Sequence, residues 1–210
     1  LVLGSHSLLE VGKVDHLANL NVGWNESTGN SGYPSWVNTS AVTGLLDASQ
    51  GSLTAHLNQL NIGVSASYGT TAGSFVMATG SSIEANMVNV GMGIGASGTL
   101  RVKGGTLALV GANTSVNFGS GSLDVPAGVH FAVGSAVAPV SALRIGYNNA
   151  GGGTSSTAID FSATNPTFEA RITDELSVGR IADAGWDAAA NGSLVLGSHS
   201  LLEVGKVDHL

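Results

Sequence analysis

The sequence predicts an all-β chain wound as a parallel β-solenoid, and three observations carry that prediction. A short phrase, apolar residue, polar residue, Val or Ile, then Gly, recurs along the whole chain. The composition combines 31 glycines and 43% apolar residues with only 10% charged residues, against about 25% charged in an ordinary globular domain. The first seventeen residues, Leu1 to Leu17, return without a change as Leu194 to Leu210. Residues 1–193 therefore read as one repeat unit and 194–210 as the start of the next, in the same continuous solenoid.

The recurring phrase is a strand signal. It appears as Leu20-Asn21-Val22-Gly23, Leu60-Asn61-Ile62-Gly63, Val88-Asn89-Val90-Gly91, Leu143-Arg144-Ile145-Gly146, Leu176-Ser177-Val178-Gly179 and Leu202-Glu203-Val204-Gly205. Alternation of apolar and polar residues marks a half-buried strand, and the glycine that follows supplies a corner tolerating positive φ. Each phrase thus reads as a short strand ending in a turn.

Longer stretches also correspond. His16 to Gly23 matches His56 to Gly63 at six of eight positions, counting Val22 and Ile62 as equivalent. Leu46-Asp47, Leu53-Thr54-Ala55 and Leu60 to Gly63 parallel Ile159-Asp160, Phe168-Glu169-Ala170 and Leu176 to Gly179. The stretch Gly73 to Met77 resembles Gly192 to Leu196 in the same way. The unit is built from two unequal halves, with an extra section around residues 92 to 140.

Spacing sets the expected coil. Apolar-Gly ends at 23, 63, 91, 134, 146, 179, 197 and 205 suggest coils of roughly 18 to 25 residues, hence about eight to ten per unit. Irregular Gly/Ser/Ala corners suit parallel coils better than hairpins. Helix is disfavoured because glycine interrupts nearly every window of a dozen residues. Asp183 to Ala190 is the single stretch with a helical-turn expectation.

Charge and composition exclude several function classes. The formal charge of −7 includes Glu203, Asp208 and Lys206, copies of Glu10, Asp15 and Lys13, so one unit carries −6. So few Lys and Arg cannot supply the phosphate contacts on which nucleic-acid affinity depends. No run of 18 apolar residues provides a transmembrane helix. The absence of cysteine removes disulfides and thiolate metal sites. Starting and stopping inside apolar strand-like text, the chain reads as a window on a longer tandem array.

The phrases Leu20 to Asn25 and Leu143 to Asn148, the pairs Leu46-Asp47 and Ile159-Asp160, and the stretch Gly98 to Leu107 resemble the repeat text of bacterial extracellular β-solenoid proteins, the autotransporter passengers and repeat-rich adhesins. That resemblance implies a structural or adhesive role at the cell surface. The long perfect repeat departs from the degenerate coils of such passengers and points to a fibre, sheath or surface layer, whose partners would be identical units, end to end or covalently in tandem.

The candidate sites are few. Aromatics follow turn glycines in Gly23-Trp24-Asn25, Gly146-Tyr147-Asn148 and Gly185-Trp186-Asp187, with Trp36 nearby in sequence. Flat rings beside amides or carboxylates are what a pyranose ring needs, so Trp24, Asn25, Trp36, Tyr147, Asn148, Trp186 and Asp187 are the candidate contacts to a surface polysaccharide; the competing reading makes them lids over the core. Asp47, Asp124 and Asp160 read as corner residues bonding to backbone, with Ca²⁺ as the minor alternative. His16 and His56, matched in sequence, suggest part of a ladder. No catalytic elbow, EF-hand loop or metalloenzyme spacing occurs, and the expectation is a non-enzyme without a cofactor. A β-helix polysaccharide-degrading enzyme is the third reading, with Asp174-Glu175 and Asp183 with Asp187 as its only close carboxylate pairs.

Overall fold

The computed structural model describes residues 1–26, 41–66, 69–111, 113–150, 152–182 and 187–205. Within them every regular element is a strand: β1 (Leu8–Val11), β2 (Ala18–Asn25), β3 (Ala41–Asp47), β4 (Ser52–Ser65), β5 (Thr70–Met77), β6 (Ser81–Val90), β7 (Ala96–Val102), β8 (Thr106–Leu109), β9 (Ser115–Phe118), β10 (Gly121–Asp124), β11 (His130–Val133), β12 (Val140–Asn148), β13 (Thr154–Asp160), β14 (Thr167–Ile181), β15 (Ala189–Val195) and β16 (Ser200–Val204). No helix among the described residues is long and apolar enough to cross a membrane.

All pairings between these strands are parallel. The larger, ten-stranded sheet advances in rows: β1 with β2, then β4, β6, β8 with β9, β11 with β12, β14 and β16. The chain visits a second wall between rows, formed by the four-stranded sheet β3-β5-β7-β10 and the pair β13-β15. Register follows the repeated phrase. Leu20, Asn21 and Val22 stand opposite Leu60, Asn61 and Ile62, which in turn face Val88, Asn89 and Val90.

The strands form because their alternation matches what lies on each side. In β7, Ala96, Gly98, Leu100 and Val102 are buried, while Ser97, Thr99 and Arg101 between them are less so. Inward residues from both walls meet in one continuous apolar cluster running from Leu3 to Ile172. Phe75, Phe118, Leu60 and Ile145 are among its fully buried side chains.

The phrase glycines adopt the left-handed conformation expected of them: Gly23, Gly63, Gly91, Gly146, Gly179 and Gly205 have φ between 60° and 73°. Yet four of them do not end their strands. β2, β4, β12 and β14 each continue two residues past the glycine, so it acts as a left-handed kink inside the strand, as in a bulge. Glycine is required there for a second reason. A Cβ on Gly63 would sit 1.7 Å from the Ser97 carbonyl oxygen, and one on Gly73 would sit 2.1 Å from the Gly63 nitrogen. Gly44, Gly73 and Gly98 are neighbours in the second wall's register, and this column presses against Gly23, Gly63 and Gly91. The two walls touch backbone to backbone along a glycine seam.

Two expectations need correction. Division into eight to ten coils is too fine, because six rows precede β16 and row-to-row partners along the phrase lie 27 to 40 residues apart. Strand length is the reason: β4 and β14, 14 and 15 residues long, hold both a glycine phrase and the strand leading into it. The helical-turn expectation over Asp183 to Ala190 also fails where the chain is described. Asp187 occupies a turn with φ 58°, and Ala189 and Ala190 open β15; residues 183–186 lie outside the described residues. The Asn191-Gly192 pair, a hairpin-turn dipeptide elsewhere, lies inside β15, where Gly192 meets the Gly179 nitrogen.

Candidate functional site

The polar residue of each phrase points away from the core, and parallel register places these residues in one file. Asn61 Nδ2 donates to Asn21 Oδ1 at 2.8 Å, Asn89 Nδ2 to Asn61 Oδ1 at 2.8 Å, and Asn117 Nδ2 to Asn89 Oδ1 at 2.9 Å. Arg144 closes the file by donating Nη1 to Asn117 Oδ1 at 3.0 Å. Asn61 is 1% exposed although it lies on the outer face of its sheet. A weaker second file, Asn19, Asn58 and Asn86, runs beside it at 3.4 to 3.5 Å.

This amide file borders a groove of about 580 Å³ that also takes in Trp24 and Tyr147. Val64 and Met92 add apolar wall. The indole N–H of Trp24 is buried and meets no acceptor among the described residues. Tyr147 packs beneath the guanidinium groups of Arg144 and Arg180, 5.1 and 5.9 Å from its ring centre. Two rings and a line of amides are chemically suited to a sugar's apolar faces and hydroxyls. Of the sequence-predicted contacts, the structure thus brings Trp24 and Tyr147 to one groove. Asn25 and Asn148 are instead buried, and Asn148 is a corner clamp: its Nδ2 donates to the carbonyls of Gly153 at 2.8 Å and Ala189 at 3.0 Å. Asp187 is exposed in its turn and does not line the groove. Trp36 and Trp186 lie outside the described residues.

The amide file was hidden in the sequence as a merely polar position. Its signal is the identity of that position, Asn in three phrases and again in Val116-Asn117-Phe118-Gly119, where Phe replaces the Val or Ile.

Where the file ends, charge takes over. Arg144 pairs with Glu175, Nη2 to Oε2 at 2.8 Å, and Arg180 holds the other carboxylate oxygen. Burial alone would raise the Glu175 pKa, but the hydrogen bonds and charge of Arg144 and Arg180 outweigh it and lower it to about 2. Because the folded value lies below the ordinary 4.5, this group stabilises the fold fully above pH 4.5 and loses its contribution as pH falls toward 2. We expect urea midpoints to fall over that window by an amount equivalent to about 2 kcal/mol, and Glu175→Gln to flatten the slope. An unchanged slope in the variant would show that another carboxylate carries it. The engagement of Glu175 with two arginines also removes Asp174-Glu175 as a free carboxylate pair.

The repeated aspartates serve corners. Asp47 Oδ1 accepts from the Ser49 N–H, and Asp160 Oδ1 from both the N–H and hydroxyl of Ser162, each lowering the aspartate's pKa. Asp124 pairs with Arg101 at 2.5 Å. His56 is bonded to Glu84 on the next row at 2.9 Å, while His16 is exposed in the Lys13–His16 turn, so the two do not form one rung.

The seventeen-residue repeat gives the second feature. Over residues 1–12 and 194–205 the two copies share a paired second residue, a turn and a short strand closed by Gly12 or Gly205, but Val195 is the end of β15 where Val2 is an isolated bridge, and the turn differs at His6, whose φ is 69°. They are used from opposite edges. In the first copy Val2 pairs with Asp47, and Leu8–Val11 with Ser52–Ala55 of β4. In the second copy Val195 pairs with Asp160, and Ser200–Val204 with Phe168–Ile172 of β14. Glu203 forms an ion pair with Arg171 on its rung, whereas Glu10, the same residue in the first copy, is exposed and makes no ion pair among the described residues.

No family model, curated protein or solved structure matches this chain. Its chemistry therefore has to be read from its own residues.

Apart from Val137 between β11 and β12, large apolar side chains reach solvent mostly at the ends of the sheet stack. Leu1, Val2, Leu8 and Val14 are exposed at the β1 end, and Val178, Ile181, Leu201 and Val204 at the β14–β16 end. Comparison of the two related long strands explains why. In β4, flanked by β2 and β6, Leu60 and Ile62 are fully buried. In β14 the matching Leu176 is only half-buried and Val178 is 45% exposed, because beyond Ile172 that strand is paired on the β12 side alone among the described residues.

Proposed function

We propose that the chain is a structural unit of an extracellular fibre, sheath or surface layer, in which parallel β-solenoid units stack end to end. The observation that carries this reading is the seating of the second repeat copy on β14 in parallel register. The end of one unit is thereby a template for the start of the next, and the rows continue across the boundary without a change of direction. The same reading accounts for the rest of the molecule. Backbone ladders and the amide file run along the stacking direction, the core is continuous, and the surface is polar and sparsely charged. Rows at about 4.8 Å would make each unit a short segment of a rod. The mechanism is mechanical: stretching the rod would load many backbone hydrogen bonds in parallel with the apolar seam between the walls. Low charge and the absence of cysteine suit such a polymer at a bacterial surface.

The test is electron microscopy of the chain across a concentration series, with binding to neutral and acidic polysaccharides measured in parallel. Unbranched filaments of constant width are expected. Discrete particles at every concentration would sink the fibre reading, and saccharide binding by such particles would move the assignment to the groove between Trp24 and Tyr147.

A further inference from the structure

We infer that the groove beside the amide file binds one extended, uncharged glycan chain, laid along the rows with its sugar rings against Tyr147 and Met92 and its hydroxyl groups on the file. This goes beyond the fibre reading and does not rest on it, because the site lies within one chain.

Two parallel files build the site. The first is the amide file itself. The second is the position after each phrase glycine: Trp24 stands opposite Val64, Met92 holds the same place in the third phrase, where its carbonyl accepts from the Ser65 N–H at 2.8 Å, and Tyr147 holds it in the fifth. The fourth phrase adds no member, because Ser120 turns to the second wall and donates to the Thr154 carbonyl at 3.4 Å. Both files line the same groove. Its central rows, β4, β6, β9 and β12, each have a paired strand on both sides, so the site is internal to the sheet.

The file leaves hydrogen-bonding capacity unused on the groove side. A side-chain amide has two N–H donors and two acceptor lone pairs, and the file takes one of each. The second N–H of Asn61 reaches Gln59 Oε1 at 3.3 Å, and that of Asn117 reaches Ser115 Oγ at 3.2 Å. In β6 the corresponding residue is Met87, a thioether, so the second N–H of Asn89 has no partner among the described residues. The amide nitrogen of Gln59 also makes no hydrogen bond among them, and the Ser115 hydroxyl, having accepted, is left to donate. Donors at Gln59, Asn89 and Ser115 thus stand beside carbonyl oxygens with a spare lone pair. A hydroxyl group both donates and accepts, which is the match this mixture requires.

Charge and spacing narrow the ligand. Arg144 is the only charged residue of the lining, and it is fully engaged: Nε and Nη2 bond Glu175 at 2.9 and 2.8 Å, and Nη1 bonds Asn117 at 3.0 Å. A charged ligand would give up water here and meet no free counter-charge. Adjacent rows lie about 4.8 Å apart, close to the length of one sugar residue in an extended glycan. The rows from Trp24 to Tyr147 therefore span about 19 Å, room for about four residues in step with the amides. An extended peptide presents the same face only every second residue, about 6.6 Å, and falls out of step.

Titration calorimetry on the whole chain tests this with three probes: cellohexaose, which is extended and uncharged; maltohexaose, the same sugar in a coiled chain; and hexagalacturonate, which is acidic. Cellohexaose should bind, with no weakening by added salt, and maltohexaose should bind about ten-fold more weakly or not at all. Tyr147→Ala should weaken cellohexaose about ten-fold, and Tyr147→Phe, which keeps the ring, should restore it. Gln59→Ala should cost about three-fold, the loss of one neutral hydrogen bond. Asp187→Asn, in the turn outside the groove, should change nothing. Urea midpoints establish that each variant is folded; should Tyr147→Ala fail to fold, Gln59→Ala carries the same comparison, since its only contact with the file is the bond it accepts from Asn61. Equal affinity for maltohexaose, a preference for hexagalacturonate that fades with salt, tighter binding of an uncharged extended peptide, or cellohexaose binding indifferent to both groove variants would each overturn the assignment. So would a folded chain that binds no probe. Filaments whose units bind no glycan would overturn the groove and leave the fibre reading standing, whereas groove binding by particles that never assemble would support the groove and remove the fibre.

Discussion

Gly63→Ala is expected to lower the melting temperature by about 10 °C or to prevent folding outright. Two effects add. The residue has φ 60°, where any Cβ costs about 1–2 kcal/mol. The new methyl group would also stand 1.7 Å from the Ser97 carbonyl oxygen and 2.8 Å from the Gly73 nitrogen. These are backbone atoms, so no rotamer change relieves the overlap, and the second wall must shift away from the first. Overpacking of this kind costs about 1–3 kcal/mol or more, which with the conformational cost gives about 2–5 kcal/mol. At this chain length each kcal/mol is worth roughly 2–4 °C. Gly128→Ala supplies the control. It has a similar φ of 76° but nothing within 4 Å of the added carbon, so it should show the conformational cost alone. Calorimetry of the two variants separates the effects, and equal, small losses would show that the walls do not meet at Gly63.

That seam also explains how far the sequence could be read. The strands were legible because alternation and the terminal glycine report local conformation, and Leu20, Leu60, Val88, Leu143 and Leu176 do fall in one parallel register. What glycine did beyond its φ was not legible. Gly44, Gly73 and Gly98 have no left-handed conformation to announce them; they are glycine because another backbone lies where a side chain would be. The coil count failed for a related reason. A glycine kink inside β4 and a glycine corner after β6 are the same word in the sequence, and only pairing with a neighbour separates them.

The candidate site divides in the same way. Trp24 and Tyr147 were found from their place beside a turn glycine, since that place fixes them on the outer side of the kink. Asn25 and Asn148, one residue further on, face inward, and a hydrogen-bonding amide is equally suited to a sugar or to a corner's carbonyl groups. Sequence chemistry alone does not choose between these. The amide file depended on residues 27 to 40 positions apart meeting at 2.8 to 3.0 Å, and its end was visible only as a change from Asn to Arg in the fifth phrase.

Asn61→Asp should expose that file as a structural element, with a pH dependence opposite to that of Glu175. Asn61 is nearly fully buried, donates to Asn21 and accepts from Asn89. An aspartate keeps the acceptor for Asn89 but sets its own oxygen against Asn21 Oδ1, where a donor stood at 2.8 Å. Arg144 contacts Asn117, two steps along the file, and does not reach this rung. A buried carboxylate with two opposed contacts, Asn21 Oδ1 and the Gln59 Oε1 that Asn61 Nδ2 also reaches at 3.3 Å, should cost about 3 kcal/mol at neutral pH. Burial and the facing oxygen both disfavour the charged form, so the folded-state pKa of the introduced carboxyl rises above its unfolded value of about 3.9. The penalty is then full above the folded pKa and is relieved as pH falls through it, because the protonated acid can donate to Asn21. Over the acid range in which the parent chain loses stability through Glu175, the gap between parent and variant should narrow. Urea unfolding of both chains from pH 3 to 7 measures this gap. A deficit constant across the range would mean that the Asn21–Asn61 rung is open to water and that the amide file does not bear on the stability of the sheet.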